Sequence, residues 1–356
     1  MRIKHTLLFS LVILSLLLAA CSGGGSSSDS PSTPSAPPRV NGFGTAANHV
    51  HAMLALRDHV LMLATHYGLF RSEDSGTSWK QVAAGQGQLM YGLMTYSLDV
   101  SSLNPQRMYV LTQVTNIHPA GILGLYTSAD QGRTWKLVTK MADLNTNYIF
   151  LTTAGNTSPD EVFIYIVSRG AMGLLVSKDD GQHFSNAGTL PFGSISGLLA
   201  IPSAPGHLLA YGSDGAARST DDGAHWQVIK NIQGGVLSMA TPGVHEPIYA
   251  SGDAGIFVSH DGGTSFTSME NSASYASLTV SPLQPQVLYG KTGTATFRSI
   301  DSGKTWTALP HIAGNLAVLV ANPDNISKVY LSLSYPTALY SLSQNETAWQ
   351  SITPQA

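Results

Sequence analysis

The chain has 356 residues, of which 43% are hydrophobic and 11% are charged, and its formal net charge is −3. This length is sufficient for a large folded domain, and a single cysteine, Cys21, excludes a small disulfide-rich scaffold. The slight negative charge and the absence of any run of lysine or arginine predict that the chain binds no nucleic acid. Globular proteins are typically about 25% charged, so the low charged fraction favours a sheet-rich exported protein.

The N-terminus is typical of an export signal. The apolar run from Leu7 to Ala20 follows a short basic start and is too short for a membrane-spanning helix. The Leu-Ala-Ala-Cys sequence ending at Cys21 resembles the bacterial lipobox, in which the cysteine thiol receives a diacylglycerol. We therefore predict a signal peptide over 1–20, a lipid anchor on Cys21 as the membrane partner, and a Gly/Ser/Pro-rich linker over 21–42. Such a protein would reside in the bacterial cell envelope, outside the cytoplasm.

One octapeptide, Ser-x-Asp-x-Gly-x-x-(Trp/Phe), recurs along the rest of the chain. The aspartates of its six clear copies lie 40 to 56 residues apart and are Asp74, Asp130, Asp179, Asp221, Asp261 and Asp301. Four copies end in tryptophan, namely Trp79, Trp135, Trp226 and Trp306. A decayed seventh copy, without the Asp and the Gly, covers 341–349. Alternating apolar residues flank the copies and predict strands joined by a tight turn, in which the carboxylate accepts backbone N–H bonds and glycine adopts a left-handed conformation.

These octapeptides resemble the Asp-box, or BNR, repeat, and residues 43–356 resemble the Asp-box propeller proteins of the sialidase-like superfamily. Seven units of about 45 residues with four strands each predict an all-β fold, a single seven-bladed β-propeller. The strands expected in unit one are 49–56, 59–65, 68–72 and 79–82, and those in unit seven are 316–322, 328–335, 338–342 and 349–352. Ring closure is expected either from side-chain packing between blades one and seven or from an edge strand that residues 39–45 add to the last blade.

Antiparallel order divides the candidate residues between two faces of the propeller. The upper face is defined here as the one where the first strand of each blade begins, and the octapeptide turns then lie on the lower face. In the propellers that this chain resembles, ligands usually bind the upper face. The candidate ligand-binding residues there are His49, His51, His66, His118, Tyr91, Tyr148, Asp143, Arg169, Asp214 and Asp253.

The histidines allow two interpretations. His49, His51 and His66 are expected at one end of blade one, with His118 in the neighbouring blade, and clustered neutral imidazoles can ligate zinc or copper. Ordinary histidines bonded to backbone are the favoured interpretation, so no metal and no cofactor is predicted. Two roles are open for Tyr91 and for Tyr148: each would either stack on a ligand or fill the central channel.

The resemblance to glycoside hydrolases implies catalytic residues that this sequence largely lacks. Sialidases clamp a carboxylate with three arginines and carry an Arg-Ile-Pro motif, whereas this sequence has no Arg-Ile-Pro and only Arg169 is expected on the upper face. Xyloglucan hydrolases use two aspartates across a cleft between two propellers. One propeller is expected here, so half of such a cleft is missing. A pair such as Asp143 with Asp214 or Asp253 would still meet the two-carboxylate requirement of glycoside hydrolysis, but the glycine-rich contexts of Asp214 and Asp253 favour turn-forming roles.

Other proteins with such propellers bind without catalysis. They include the photosystem II stability/assembly factor and sortilin-type receptors, and a single propeller behind an export signal resembles the first of these. We therefore predict no catalytic residue and a surface-anchored binding or assembly module that recognises a protein or a glycan at the upper face. The alternative is a glycoside hydrolase, sialidase-like or xyloglucanase-like, that uses upper-face carboxylates.

Overall fold

The structure is a computed structural model that describes residues 42–45, 47–115, 121–202, 204–243, 246–270 and 272–354. These residues form seven four-stranded antiparallel sheets arranged as a seven-bladed β-propeller, which confirms the predicted all-β fold. The predicted signal peptide, Cys21, nearly all of the predicted linker and His118 lie outside the described residues. No helix of the described residues has the length and apolar character needed to span a membrane.

The strands follow one another in chain order within each blade. Blade one contains β1 (Val50–Ala55), β2 (Leu61–Thr65), β3 (Gly68–Ser72) and β4 (Lys80–Ala83). Blade two contains β5 (Leu93–Val100), β6 (Met108–Val114), β7 (Gly124–Ser128) and β8 (Lys136–Lys140). Blade three contains β9 (Leu151–Ala154), β10 (Val162–Tyr165), β11 (Leu174–Ser177) and β12 (Ser185–Asn186). Blade four contains β13 (Gly197–Ala200), β14 (Leu208–Gly212), β15 (Gly215–Ser219) and β16 (Gln227–Val228).

The remaining blades keep the same order. Blade five contains β17 (Val236–Ala240), β18 (Ile248–Gly252), β19 (Gly255–Ser259) and β20 (Thr267–Ser268). Blade six contains β21 (Ser277–Val280), β22 (Leu288–Lys291), β23 (Thr296–Ser299) and β24 (Thr307–Ala308). Blade seven contains β25 (Leu316–Ala321), β26 (Lys328–Ser334), β27 (Thr337–Ser343) and β28 (Gln350–Ser351). Among the described residues, one 3-10 helix, Met141–Leu144, lies between β8 and β9, and another, Val167–Met172, lies between β10 and β11.

The seven first strands form a closed ring around the axis. Each of them contacts the first strand of the next blade, from β1 and β5 through to β25, which contacts β1. Blades one and seven share one core cluster of buried side chains, which includes Phe43, Val50, Phe70 and Leu339. Ring closure therefore uses side-chain packing between these blades, the first of the two predicted modes.

The N-terminal segment adds a smaller contribution to closure. Gly44 N donates to Thr337 O at 2.8 Å, and Thr337 N donates to Thr45 O at 3.2 Å. Within the described residues of this segment these contacts do not form a strand, so blade seven keeps its own four strands. The indole Nε1 of Trp79 also donates to Ile352 O at 2.8 Å, which ties blade one to the end of the chain.

Each octapeptide closes its turn through its own side chains. Asp74 Oδ1 accepts from Ser78 N and from Ser72 Oγ, both at 2.8 Å, and Ser72 Oγ accepts from Gly76 N at 2.8 Å. Gly76 has a φ of +92°, in the left-handed region that favours glycine. The bond from the backbone N–H four residues later recurs at the other five aspartates, namely Asp130, Asp179, Asp221, Asp261 and Asp301. These carboxylates are therefore engaged in holding the turns.

In three of the six turns the tryptophan at the end of the octapeptide adds a further hydrogen bond. Trp79 Nε1 donates to Gly76 O at 3.1 Å, and Trp135 and Trp306 make the same bond to their own octapeptide glycines. Trp226 Nε1 is the exception, because this buried atom has no hydrogen-bond partner among the described residues. The turns lie at the end of each blade opposite the connection between its second and third strands, which is the predicted lower face.

Candidate functional site

Three imidazoles meet at the upper end of blade one. His49 directly precedes β1, His51 lies within β1, and His66 directly follows β2. The ring centroid of His49 is 4.4 Å from that of His51 and 4.9 Å from that of His66. One ring nitrogen from each histidine lies within 4.8 Å of the other two. The structure thus brings together three of the four predicted histidines.

A β-bulge in β1 contributes to this arrangement. Val50 pairs with Thr65 and Ala52 pairs with Ala64, so His51 is an extra residue without a partner in the register. Bulges bend a strand locally and redirect side chains. The backbone bond from His66 N to His49 O, at 3.1 Å, holds the end of β2 against the residue that precedes β1.

The environment of the cluster disfavours protonation of its imidazoles. Burial lowers the pKa of all three histidines below the ordinary value of 6.5. His51 is the most affected, because burial and then the positive charges that His49 and His66 would carry lower its pKa to about 3. Within the described part of the chain, the buried atoms His51 Nε2 and His66 Nδ1 have no hydrogen-bond partner. This differs from the favoured expectation of histidines bonded to backbone.

A cavity of about 590 Å³ opens beside the cluster, between blades one and two. Its walls come from the connection between β4 and β5, the turn between β2 and β3, and the N-terminal segment. The lining includes Tyr67 and Tyr91 together with amide, hydroxyl and small apolar side chains, and His66 borders both the cavity and the histidine cluster. None of the described residues that line it carries a formal charge at neutral pH. The cavity is therefore suited to an uncharged ligand with an aromatic or apolar group.

Asp143 and Arg169 line a second upper cavity, also of about 590 Å³, between blades two and three. Asp143 belongs to the first 3-10 helix, and Arg169, in the second, donates from Nη2 to the backbone oxygen of Leu144. Asp143 is the only carboxylate among the described residues that line this cavity. The cavity is accordingly lined by one carboxylate and one guanidinium group rather than by two carboxylates.

The other predicted upper-face aspartates lie in turns. Asp253 is between β18 and β19, and its Oδ2 accepts from Gly235 N at 2.9 Å. Asp214 is between β14 and β15, where Ser213 Oγ donates to its Oδ1 at 3.4 Å. In the described structure, neither aspartate lines the two upper cavities. These positions match the turn-forming interpretation.

The upper-face tyrosines differ in their surroundings. Tyr91 lines the cavity of blades one and two and is 36% exposed. Tyr148 is 37% exposed, but its ring stacks on Tyr96, with centroids 6.1 Å apart. Tyr275 is 2% exposed and packs against Trp306, so it fills the interior.

Sequence reasoning missed two aromatic residues at the upper mouth. The ring of Tyr67 is 5.4 Å from that of His66, and the ring of Tyr335 is 5.5 Å from that of His49. Both tyrosines occupy the turn between the second and third strands of their blades, a position that assigns them to the upper face from strand order alone.

Strand β5 carries a half-buried carboxyl, that of Asp99, which sequence reasoning did not single out. Asp99 Oδ1 accepts from Val100 N and its Oδ2 accepts from Ala154 N, both at 2.8 Å, so the side chain bridges blades two and three. Burial raises the pKa of Asp99 to about 6, despite these two bonds. With both oxygens used by backbone groups, Asp99 is a structural tie between blades.

Comparison with solved structures places this fold among known propellers. The GH74 xyloglucanase from Xanthomonas campestris is similar with a TM-score of 0.67 and 16% identity, over 89% of this chain and 55% of that one. A GH74 enzyme from Niastella koreensis gives a TM-score of 0.68 and 15% identity, over 88% and 56%. YCF48 bound to D1 peptide gives a TM-score of 0.56 and 15% identity, over 80% and 90%.

The chain spans about half the length of the two GH74 structures. Identities of this size show a shared β-propeller fold and do not transfer an activity. No protein-family model matched the sequence, and no curated protein matched it either.

Proposed function

We propose that this chain is a non-catalytic binding module that holds an uncharged segment of a partner protein in the cavity between blades one and two. The observation that carries the proposal is the cavity itself, which measures about 590 Å³ and is lined by two tyrosines and no charged side chain among the described residues. Ligand pockets typically measure about 300–1,000 Å³ and combine apolar walls with a few polar groups.

The lining chemistry indicates what such a segment would contain. Tyr67 and Tyr91 offer aromatic area that suits an apolar or aromatic side chain. The amide side chain of Gln86 can bond the backbone of an extended peptide. The similarity to YCF48, which was solved with a bound D1 peptide, supports peptide binding by a propeller of this kind.

Glycoside hydrolysis is the second candidate function, and the similarity to GH74 enzymes is the observation in its favour. Tyrosines also stack on sugar rings, so a glycan would be accommodated by the same cavity. Hydrolysis generally needs two carboxyl groups about 5–9.5 Å apart. Asp143 is the only carboxylate among the described residues lining the two upper cavities, so binding without hydrolysis fits the site better.

Arrays of synthetic peptides and of oligosaccharides test this function with the purified protein. We expect uncharged peptides with an aromatic residue to bind, and Tyr91→Ala to weaken that binding by about tenfold, the effect of losing roughly 1.4 kcal/mol of aromatic contact. Tyr148→Ala is the matched control, because Tyr148 is equally exposed on the upper face but does not line the cavity. Equal loss in both variants, or cleavage of aryl glycosides that Asp143→Asn abolishes, would refute the proposal.

We also propose that the propeller over 43–356 is held at the surface of a bacterial membrane. The support is the sequence of residues 1–20, Cys21 and the linker over 21–42. Cys21→Ser should release the protein into the soluble fraction of the producing cells. Continued tight membrane association of that variant would contradict the lipid anchor.

A further inference from the structure

We propose that His49, His51 and His66 together bind one divalent transition-metal ion, with zinc as the ion of reference. Among the described residues they form a group in which one nitrogen of each imidazole lies within 4.8 Å of the other two. The proposal does not rest on the peptide-binding function, although His66 belongs both to the cluster and to the lining of the cavity.

The spacing is close to that of a formed zinc site. Zinc–nitrogen bonds measure about 2.0–2.1 Å, so two nitrogens on one tetrahedral ion lie about 3.3 Å apart. Each nitrogen–nitrogen distance here would have to shorten by at most about 1.5 Å, which small rotations of the imidazole rings supply. The backbone bond between His66 and His49 already holds two of the three chain positions together.

Two buried ring nitrogens are available to serve as ligands. His51 Nε2 and His66 Nδ1 have no hydrogen-bond partner within the described residues, although both atoms are buried. Buried polar atoms in folded proteins are nearly always satisfied, and each exception calls for an explanation. A metal ion bonded to both nitrogens provides one.

The donor set selects the class of metal. Imidazole nitrogens suit zinc, copper and nickel, whereas magnesium and calcium prefer oxygen ligands. Three histidines also leave a tetrahedral ion with one further coordination position. Because His66 lines the tyrosine-walled cavity as well, the ion would lie at the edge of that cavity.

Titration of the purified, chelator-treated full chain with Zn²⁺ tests the site. We expect one zinc ion per chain, no comparable binding of Mg²⁺, and visible d–d absorption from Co²⁺ in place of zinc. His66→Ala should weaken zinc binding by at least about 100-fold, since loss of a group that only supports a ligand already costs about 10–100-fold. His260→Ala is the control, because His260 is exposed in a lower-face turn.

A second variant keeps the test informative if the first does not fold. His51→Gln removes an imidazole and keeps a polar side chain of similar size, and circular dichroism verifies its fold. Loss of zinc and of the cobalt spectrum in a folded variant supports the site. Absence of zinc binding in the wild type, or binding that survives changes at His49, His51 and His66, would overturn it.

Discussion

Replacing His51 with glutamine should make the folded protein less sensitive to acid. In the folded chain, burial and the neighbouring imidazoles lower the pKa of His51 to about 3, whereas a histidine in an unfolded chain titrates near 6.5. Between these pH values the unfolded state binds more protons than the folded state. The free energy of unfolding therefore falls as the pH falls from about 6.5 towards about 3.

The size of the effect follows from the two pKa values. At pH 7.5 histidine is neutral in both states, and His51 contributes almost no pH dependence. At pH 5.0 the medium lies about 1.5 pH units below the unfolded pKa and still above the folded one. At about 1.36 kcal/mol per pH unit, the wild type loses about 2 kcal/mol of stability that the glutamine variant keeps.

Denaturant titrations at pH 7.5 and pH 5.0, with a chelator present, measure this difference. Fluorescence and circular dichroism should be followed together, so that a two-state transition is verified. Subtracting the variant from the wild type removes the contribution of titrating groups distant from His51, whereas the electrostatic coupling of His51 to His49 and His66 stays in the difference. His260→Gln, a change at an exposed histidine, is the control and should parallel the wild type. If the difference in the free energy of unfolding between wild type and variant is the same at both pH values, His51 is not held neutral in the folded protein.

The remaining predictions concern the ring and the Asp99 carboxyl. Gly76→Ala should lower the free energy of unfolding by about 1–3 kcal/mol, because residue 76 has a φ of +92° and an added Cβ would lie 2.7 Å from Ile352 Cδ1. Gly87→Ala should cost less in the same denaturant titration, because residue 87 has a φ of +74° but an added Cβ would meet nothing within 4 Å. Trp79→Phe should cost about 1 kcal/mol through loss of the indole N–H that donates to both Gly76 O and Ile352 O, and an unchanged denaturation midpoint would show that these bonds do not help to close the ring. The Asp99 carboxyl should titrate near pH 6 by carbon-13 NMR, so that its contribution to stability falls as the pH rises from about 4 through 6; a midpoint near 4 would contradict its burial.

The architecture was predictable because the octapeptide repeats mark one turn of every blade. Once that turn is known, strand alternation assigns the other three strands, and the observed β2 and β3 agree with the expectation to within two residues. The fourth strands were less predictable. They begin after the aromatic residue rather than at it, as in β4 at Lys80, because the aromatic residue still belongs to the turn.

The site was predictable only where strand order decides it. His49, His51 and His66 could be assigned to one end of blade one, because strand order alone places them there. The bulge at His51 could not be predicted from the sequence, since it depends on how β1 pairs with β2. The cavity is likewise a product of packing between blades, where the connection carrying Tyr91 meets the N-terminal segment.

Hydrogen–deuterium exchange tests most directly whether the cavity between blades one and two is where this protein binds its ligand. The measurement compares the free protein with the protein bound to the tightest peptide from the array. The proposed function predicts slower exchange in 84–93 and at Tyr67, with little change in the octapeptide turns. Protection confined to the octapeptide turns, with none around Tyr91, would contradict it.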